Sequence, residues 1–184
     1  FRGARMAASS QNVGGRAARI KTYHIVGEGS GVSARITCRG HEVHTDVPKA
    51  MGGADASPQP VELLLSALVG CETATAAFVA MRMRPRLRLR KIDFDYIAER
   101  DELGSLQLPI HERPSVESRL QVVHGVARVH LDGSAPESSD QDNARIELLH
   151  ELVEQRCPIA NMLRASGCRV ETRWVLAAPT SRPK

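Results

Sequence analysis

Aromatic residues are nearly absent from this chain: three phenylalanines, two tyrosines and one tryptophan in 184 residues. Aliphatic side chains and methionine must therefore fill most of the core, and few rings are left as stacking platforms for single-stranded nucleic acid. No Cys-x-x-Cys pair occurs among the four cysteines, Cys38, Cys71, Cys157 and Cys168. Their spacings suit neither a zinc ribbon nor a small disulfide scaffold, and in a reducing compartment they are thiols, structural or reactive. The histidines supply no metal pattern either. His41 and His44 are three apart, on opposite faces of a strand, and His24, His111, His124, His130 and His150 are scattered. Neither a metal nor a bound cofactor is expected. For want of an apolar h-region, no secretory signal is expected. The longest apolar run, Val61 to Met81, is broken by Glu62 and Glu72. Two glutamates argue against a membrane span and for the buried central helix of a soluble fold.

Acidic residues are also missing from the first 27 positions, where Arg2, Arg5, Arg16, Arg19 and Lys21 precede Glu28. Setting those five aside leaves 20 of the 25 basic residues against 21 acidic ones, so the net charge of +4 belongs to a tail. The tail is rich in Arg, Ala, Ser and Gly, a composition that buries too little to offset the entropy of ordering. Residues 1–19 are expected to be a disordered basic end, 20–179 a single domain and 180–184 a flexible C-terminus. The tail's composition overlaps with mitochondrial transit peptides, while the plainer reading is a loose end on a cytoplasmic protein. Arg86, Arg88 and Arg90 alternate and would share one exposed strand face. Such a face could touch phosphates, but beside a neutral body it reads as solvated, and neither nucleic acid nor membrane is expected as a partner.

What remains is a clear order of elements. Short β-type runs cover Ile20–Val26, Ala34–Arg39 and Glu42–Thr45, with glycines 27, 29, 31 and 40 as turns. A helix is predicted from Pro60, a good first-turn residue, to near Arg84-Pro85. Strands follow at Leu89–Glu99 and Arg119–Leu131, separated by a turn-rich excursion. Ser139 and Asp142 open an amphipathic helix with Ile146, Leu149, Leu152 and Val153 on one face, stopping at Cys157-Pro158. A short helix through Leu163 and a strand at Val170–Leu176 complete the order βββ–α–ββ–αα–β. Strands mostly neighbour strands, so the class is α+β.

Two cysteines occupy chemically distinct places. Pro158 fits the first position of a new helix, making Cys157 its N-cap, where free N–H groups and the dipole favour thiolate. The plain alternative is a small residue at a helix junction. Cys71 shares a helix face with Leu64, Ala67, Leu68, Ala74, Thr75 and Phe78. Alanines and Gly70 leave space near its sulfur, but apolar burial raises a thiol pKa, so taken singly it reads as a core cysteine unless a cation stands near.

Taken together, the two segments are familiar. GGADASPQPVELLLSALVGCETAT resembles the GxxxGPxPxELLLxALxxCT segment of the osmotically inducible protein C / organic hydroperoxide resistance family (OsmC/Ohr). RCPIANML resembles that family's second signature, a Cys-Pro-Val/Ile followed by a leucine, here 86 residues after the first cysteine. The element order matches as well, over residues 20 to 177. The resemblance implies an intertwined homodimer with active sites at the subunit interface. It further implies a thiol-dependent peroxidase acting on organic hydroperoxides, with an external dithiol as reductant. Cys71 would be peroxidatic and Cys157 resolving.

The likeness has departures. Ohr-type members carry a glutamate ten residues before the first cysteine, where it holds an activating arginine. Here that position is Val61, and Glu62 at minus nine faces half a turn away, as a first-turn acid favoured by the helix dipole. No arginine matches by motif, so Arg35 and Arg39, on the strands before the helix, are the candidates. PxELLLxAL is commoner in the OsmC-like branch than among proven peroxidases. A second reading therefore stands beside the first: a non-catalytic dimer of the same fold that binds a small apolar or thiol ligand at the interface.

Overall fold

The computed structural model describes residues 19–132 and 140–178. Hairpins open the chain: β1 (Val26–Ser30), β2 (Ser33–Cys38) and β3 (His41–Thr45) form an antiparallel sheet in that order. The second turn is made by Arg39 and Gly40, with φ of 50° and 83°. Two left-handed residues in succession match the twist of the flanking strands, and this is why a glycine stands there. The first strand begins later than the Ile20–Val26 run suggests. Gly27 and Gly29 lie within β1, because Val26 to Ser30 pair with Thr37 back to Ser33. Cross-strand pairing prevails there over the turn preference of glycine.

α1 (Pro60–Ala80) begins at Pro60 as expected, and its first turn is closed by Glu62, whose Oε2 accepts the Gln59 N–H at 2.8 Å. It ends at Ala80, short of Arg84-Pro85. The N–H groups of Arg82 and Met83 both turn back to the Val79 carbonyl, at 2.8 and 3.0 Å. The chain then turns and bends from Met81 to Pro85, and a proline disfavours helix in the residue before it.

A second sheet, β4 (Leu89–Glu99), β5 (Val122–Leu131) and β6 (Arg169–Leu176), carries the site. β4 and β5 are antiparallel and β5 and β6 parallel, so the chain crosses over through α3 (Asp140–Glu154) and α4 (Pro158–Ala165). The excursion between β4 and β5 holds a single helical turn, α2 (Leu103–Leu106), that the sequence pattern did not suggest. Alternation along β4 turns Ile92, Phe94, Tyr96 and Ala98 towards the helices. α1, α3 and α4 pack over that face around Leu68, Leu87, Val123, Val129, Leu149 and Trp174. The expected stripe of α3 is inside: Ile146, Leu149 and Val153 are buried and Leu152 packs against them. The architecture is α+β, as the element order implied. The expected tail up to Ala18, the cap at Ser139 and the C-terminal end 180–184 lie outside the described residues.

By length and hydropathy α1 could cross a membrane. Its place against β4, α3 and α4, with Glu72 bonded to Tyr96 of the sheet, makes it the central helix of this fold instead. Even so, only Leu68, Glu72, Ala76, Val79 and Ala80 of its 21 residues are buried. Phe78 and Met81 are half exposed, as are Val26 of β1 and Val32 in the first turn.

Candidate active site

The segment leading into α1 is held by a residue the sequence pattern did not single out. Asp46 is buried, and its carboxylate accepts the backbone N–H groups of Val47, Ala54 and Ala56 at 2.8, 3.0 and 3.1 Å. Those bonds hold its pKa below the ordinary carboxylate value. Gly53 completes the turn, since a Cβ there would stand 2.0 Å from the Val47 carbonyl oxygen. This fixed loop sets where α1 starts and hence where Cys71 falls.

Cys71 is partly buried against the core, and Cys157 is wholly buried. The fold brings the two thiols near enough for the Cys71 thiol to act on the titration of Cys157. Cys157 is the N-cap of α4, and its Sγ accepts the Ala160 N–H at 3.5 Å. The N-cap geometry is thus as the sequence implied, but the consequence drawn for the thiol is not. Burial, reinforced by the Cys71 thiol, pushes the Cys157 pKa up to about 11, against the lowering effect of the Ala160 N–H. A dipole end in contact with the sulfur is outweighed by the loss of water around it. Cys157 is held as a neutral thiol.

Around this pair lies a polar cluster drawn from five elements. Glu72 of α1, next to Cys71, is buried, and its Oε2 accepts the Tyr96 hydroxyl of β4 at 2.8 Å. Burial raises the Glu72 pKa to about 6, while Tyr96 and the Arg164 guanidinium of α4 pull it down. Arg164 is ion-paired with Glu154 of α3, and His150 of α3 lies 3.5 Å from the same carboxylate. His150 stacks on Trp174 of β6 at 5.4 Å, and burial lowers its pKa. Asn161 closes the junction, donating to the carbonyls of Glu154 (3.2 Å) and Cys157 (2.9 Å). The sequence signal for this cluster was a lone acid inside an apolar helix, read only as an interruption of the run.

The remaining candidates lie elsewhere in the single chain. Glu62 is engaged in the first turn of α1. Arg35 stands across β2 and β3 from His44 and lies 3.9 Å from Glu42. It lines a cavity of about 380 Å³ with Glu28, Ser33, His44 and Asp46. Arg39 occupies the tip of the second hairpin. Among the described residues no hydrogen bond or ion pair joins any of these three to a thiol of the pair. Arg86, Arg88 and Arg90 are exposed, with Leu87 buried between them, the solvated face that alternation implied.

Residues 52–173 match the family model of OsmC-like proteins. The chain belongs to the OsmC-like family. Solved structures of the fold agree over most of the chain. An OsmC-like protein from Mycoplasma pneumoniae superposes with a TM-score of 0.62 at 21% identity, covering 85% of this chain and 98% of that one. An organic hydroperoxide resistance protein OsmC from Legionella pneumophila, described as a predicted redox protein, gives 0.57 at 15%, over 87% and 99%. A putative organic hydroperoxide resistance protein from Vibrio cholerae, with captopril bound in one of its active sites, gives 0.53 at 15%, over 88% and 96%. No protein of curated function matches the chain in sequence. At these identities the solved structures carry the fold, and the chemistry has to be argued from this chain's own residues.

Proposed function

We propose that this OsmC-like protein is a thiol-dependent peroxidase that reduces organic hydroperoxides through Cys71 and Cys157. The observation that carries the reading is the meeting of the two thiols, one partly open and one sealed. Cys71, as thiolate, attacks the terminal peroxide oxygen; the O–O bond breaks, the alkoxide takes up a proton and leaves as alcohol, and Cys71 becomes a sulfenic acid. The Cys157 sulfur then displaces the hydroxyl, forming the disulfide, and the thiol proton departs in water. An external dithiol restores both thiols. The division of labour follows from burial: a neutral, sealed thiol is a poor target for peroxide but is already against the sulfur it must resolve. Leu64 and Phe78 lie exposed on the helix face of Cys71, which favours an apolar substrate tail.

The experiment is peroxide consumption with dithiothreitol as reductant. Cumene hydroperoxide should be consumed faster than hydrogen peroxide; equal rates, or none, overturn the reading. The second reading, a non-catalytic binding dimer, draws on one observation: among the described residues no cation bonds to Cys71 within one chain. It predicts no consumption with either peroxide, and heat release when a small apolar or thiol ligand is titrated in.

The site is read as part of a homodimer. An apolar central helix with so few residues covered, together with a first hairpin that exposes Val26 and Val32, leaves more apolar surface in water than a stable monomer shows. A second copy would cover it and could bring Arg35 or Arg39 to the partner's thiols. Light scattering at micromolar concentration should give twice the 20.1 kDa chain mass. A stable monomer rejects the dimer and leaves both arginines without a path to the site.

A further inference from the structure

We propose that Glu72 is a positioning residue for the thiol pair: tethered to β4 by Tyr96 and facing the Glu154–Arg164 ion pair that brackets Cys157, its carboxylate fixes α1 in the register at which Cys71 meets Cys157. The inference rests on the reading that these two thiols form a disulfide.

The bracket is built from the sequence outward. Glu154 precedes Cys157 by one helical turn, and Arg164 follows it by two, at the far end of α4. Their ion pair, with Asn161 on the Glu154 and Cys157 carbonyls, closes the α3–α4 junction around the sulfur. That fixes where Cys157 lies with respect to its own two helices. It does not fix α1, which carries the other thiol from a different part of the chain. Glu72 supplies the connection. It lies one residue beyond Cys71 and is all but sealed from water, with 2% of its surface exposed. Its two anchors are the Tyr96 hydroxyl and the electrostatic pull of Arg164.

The groups facing it come from every element packed on that side. They are Tyr96 from β4, Glu154 from α3 and Arg164 from α4, with Thr172 and Trp174 from β6 bordering the Tyr96 hydroxyl and His150 of α3 beside Glu154. Arg164 is the cation that attracts Glu72, and Glu154 is the anion that opposes it. An ionised Glu72 therefore draws α4 towards α1, and a protonated one keeps only its bond from Tyr96. Burial places that change near pH 6.

The test uses the full-length protein equilibrated with mixtures of reduced and oxidised dithiothreitol between pH 5 and pH 8. Oxidised dithiothreitol takes up the two electrons and two protons released as the pair closes, so no peroxide is needed. Peptide mapping then gives the fraction of Cys71–Cys157 disulfide. For Glu72→Gln, which retains an acceptor for Tyr96, the equilibrium constant for closure should fall about tenfold at pH 7.5. At pH 5, where the native carboxyl is itself protonated, variant and wild type should converge. Tyr96→Phe removes the bond that favours the carboxylate, so the midpoint of the wild-type pH profile should move upward. A merely structural role for Glu72 would lower closure equally at all pH values, or not at all. If Glu72→Gln and wild type superimpose from pH 5 to pH 8, the inference fails and the redox pair stands. If wild type itself forms no Cys71–Cys157 disulfide in oxidised dithiothreitol, the redox pair and the inference fall together.

Discussion

Cys71→Ser should abolish turnover of organic hydroperoxide, by at least about a thousandfold, because a hydroxyl is far less acidic than a thiol and a weaker nucleophile towards oxygen. Cys157→Ser should behave differently. The first oxidation survives, since Cys71 is the accessible sulfur, but the sulfenic acid finds no thiol to condense with. With excess peroxide Cys71 then passes to sulfinic acid, seen by mass spectrometry as a gain of two oxygens on its peptide. The asymmetry has its source in the fold. Cys157 is wholly buried as the N-cap of α4, its pKa pushed up to about 11 by that burial and by Cys71. A thiol in that state is protected from peroxide and reacts only with a sulfur already beside it. Should Cys157→Ser abolish the first oxidation as well, the order of attack is reversed and Cys157 is the peroxidatic residue. Should stoichiometric hydroperoxide leave wild type without a Cys71–Cys157 disulfide, Cys71 is a packed core thiol and the binding reading takes its place.

The order of elements was legible because each was marked by its own chemistry. Pro60 opens α1, alternation marks β4, the Ile146/Leu149/Val153 stripe marks α3, and Cys157-Pro158 marks the break before α4. Local signals failed where pairing decided the outcome. Gly27 and Gly29 sit inside β1 because β2 holds them there. The two thiols were legible as motifs, but their protonation was not. An N-cap predicts a stabilised thiolate, and only the three-dimensional burial of Cys157 shows that desolvation prevails. Glu72 was visible as an acid in an apolar helix. Its significance needed Tyr96 and Arg164, which lie 24 and 92 residues further along the chain and meet it only in the fold.

A buried carboxylate that titrates near neutrality should also leave a signature in stability, and one opposite in direction to its effect on the thiols. Burial raises the Glu72 pKa from 4.5 to about 6, so the folded state holds its proton more tightly than the unfolded chain does. The stabilisation from that proton is fully present below pH 4.5 and is lost as pH rises through about 6. At pH 7.5 the native protein carries an ionised carboxylate in a sealed site, and Arg164, already paired with Glu154, answers only part of its charge. A neutral isostere escapes this burden. Glu72→Gln should therefore be more stable than wild type at pH 7.5 by about 2 kcal/mol, or roughly 4–8 °C in Tm. The gap should close below pH 4.5, where both side chains are neutral. Paired thermal melts across that range are the measurement. A variant that melts higher at pH 7.5 yet closes its disulfide less readily would mark Glu72 as a residue kept for the site at the expense of the fold. A variant that melts lower at pH 7.5 would mean that Tyr96 and Arg164 outweigh burial, and that the carboxylate is an ordinary structural anchor.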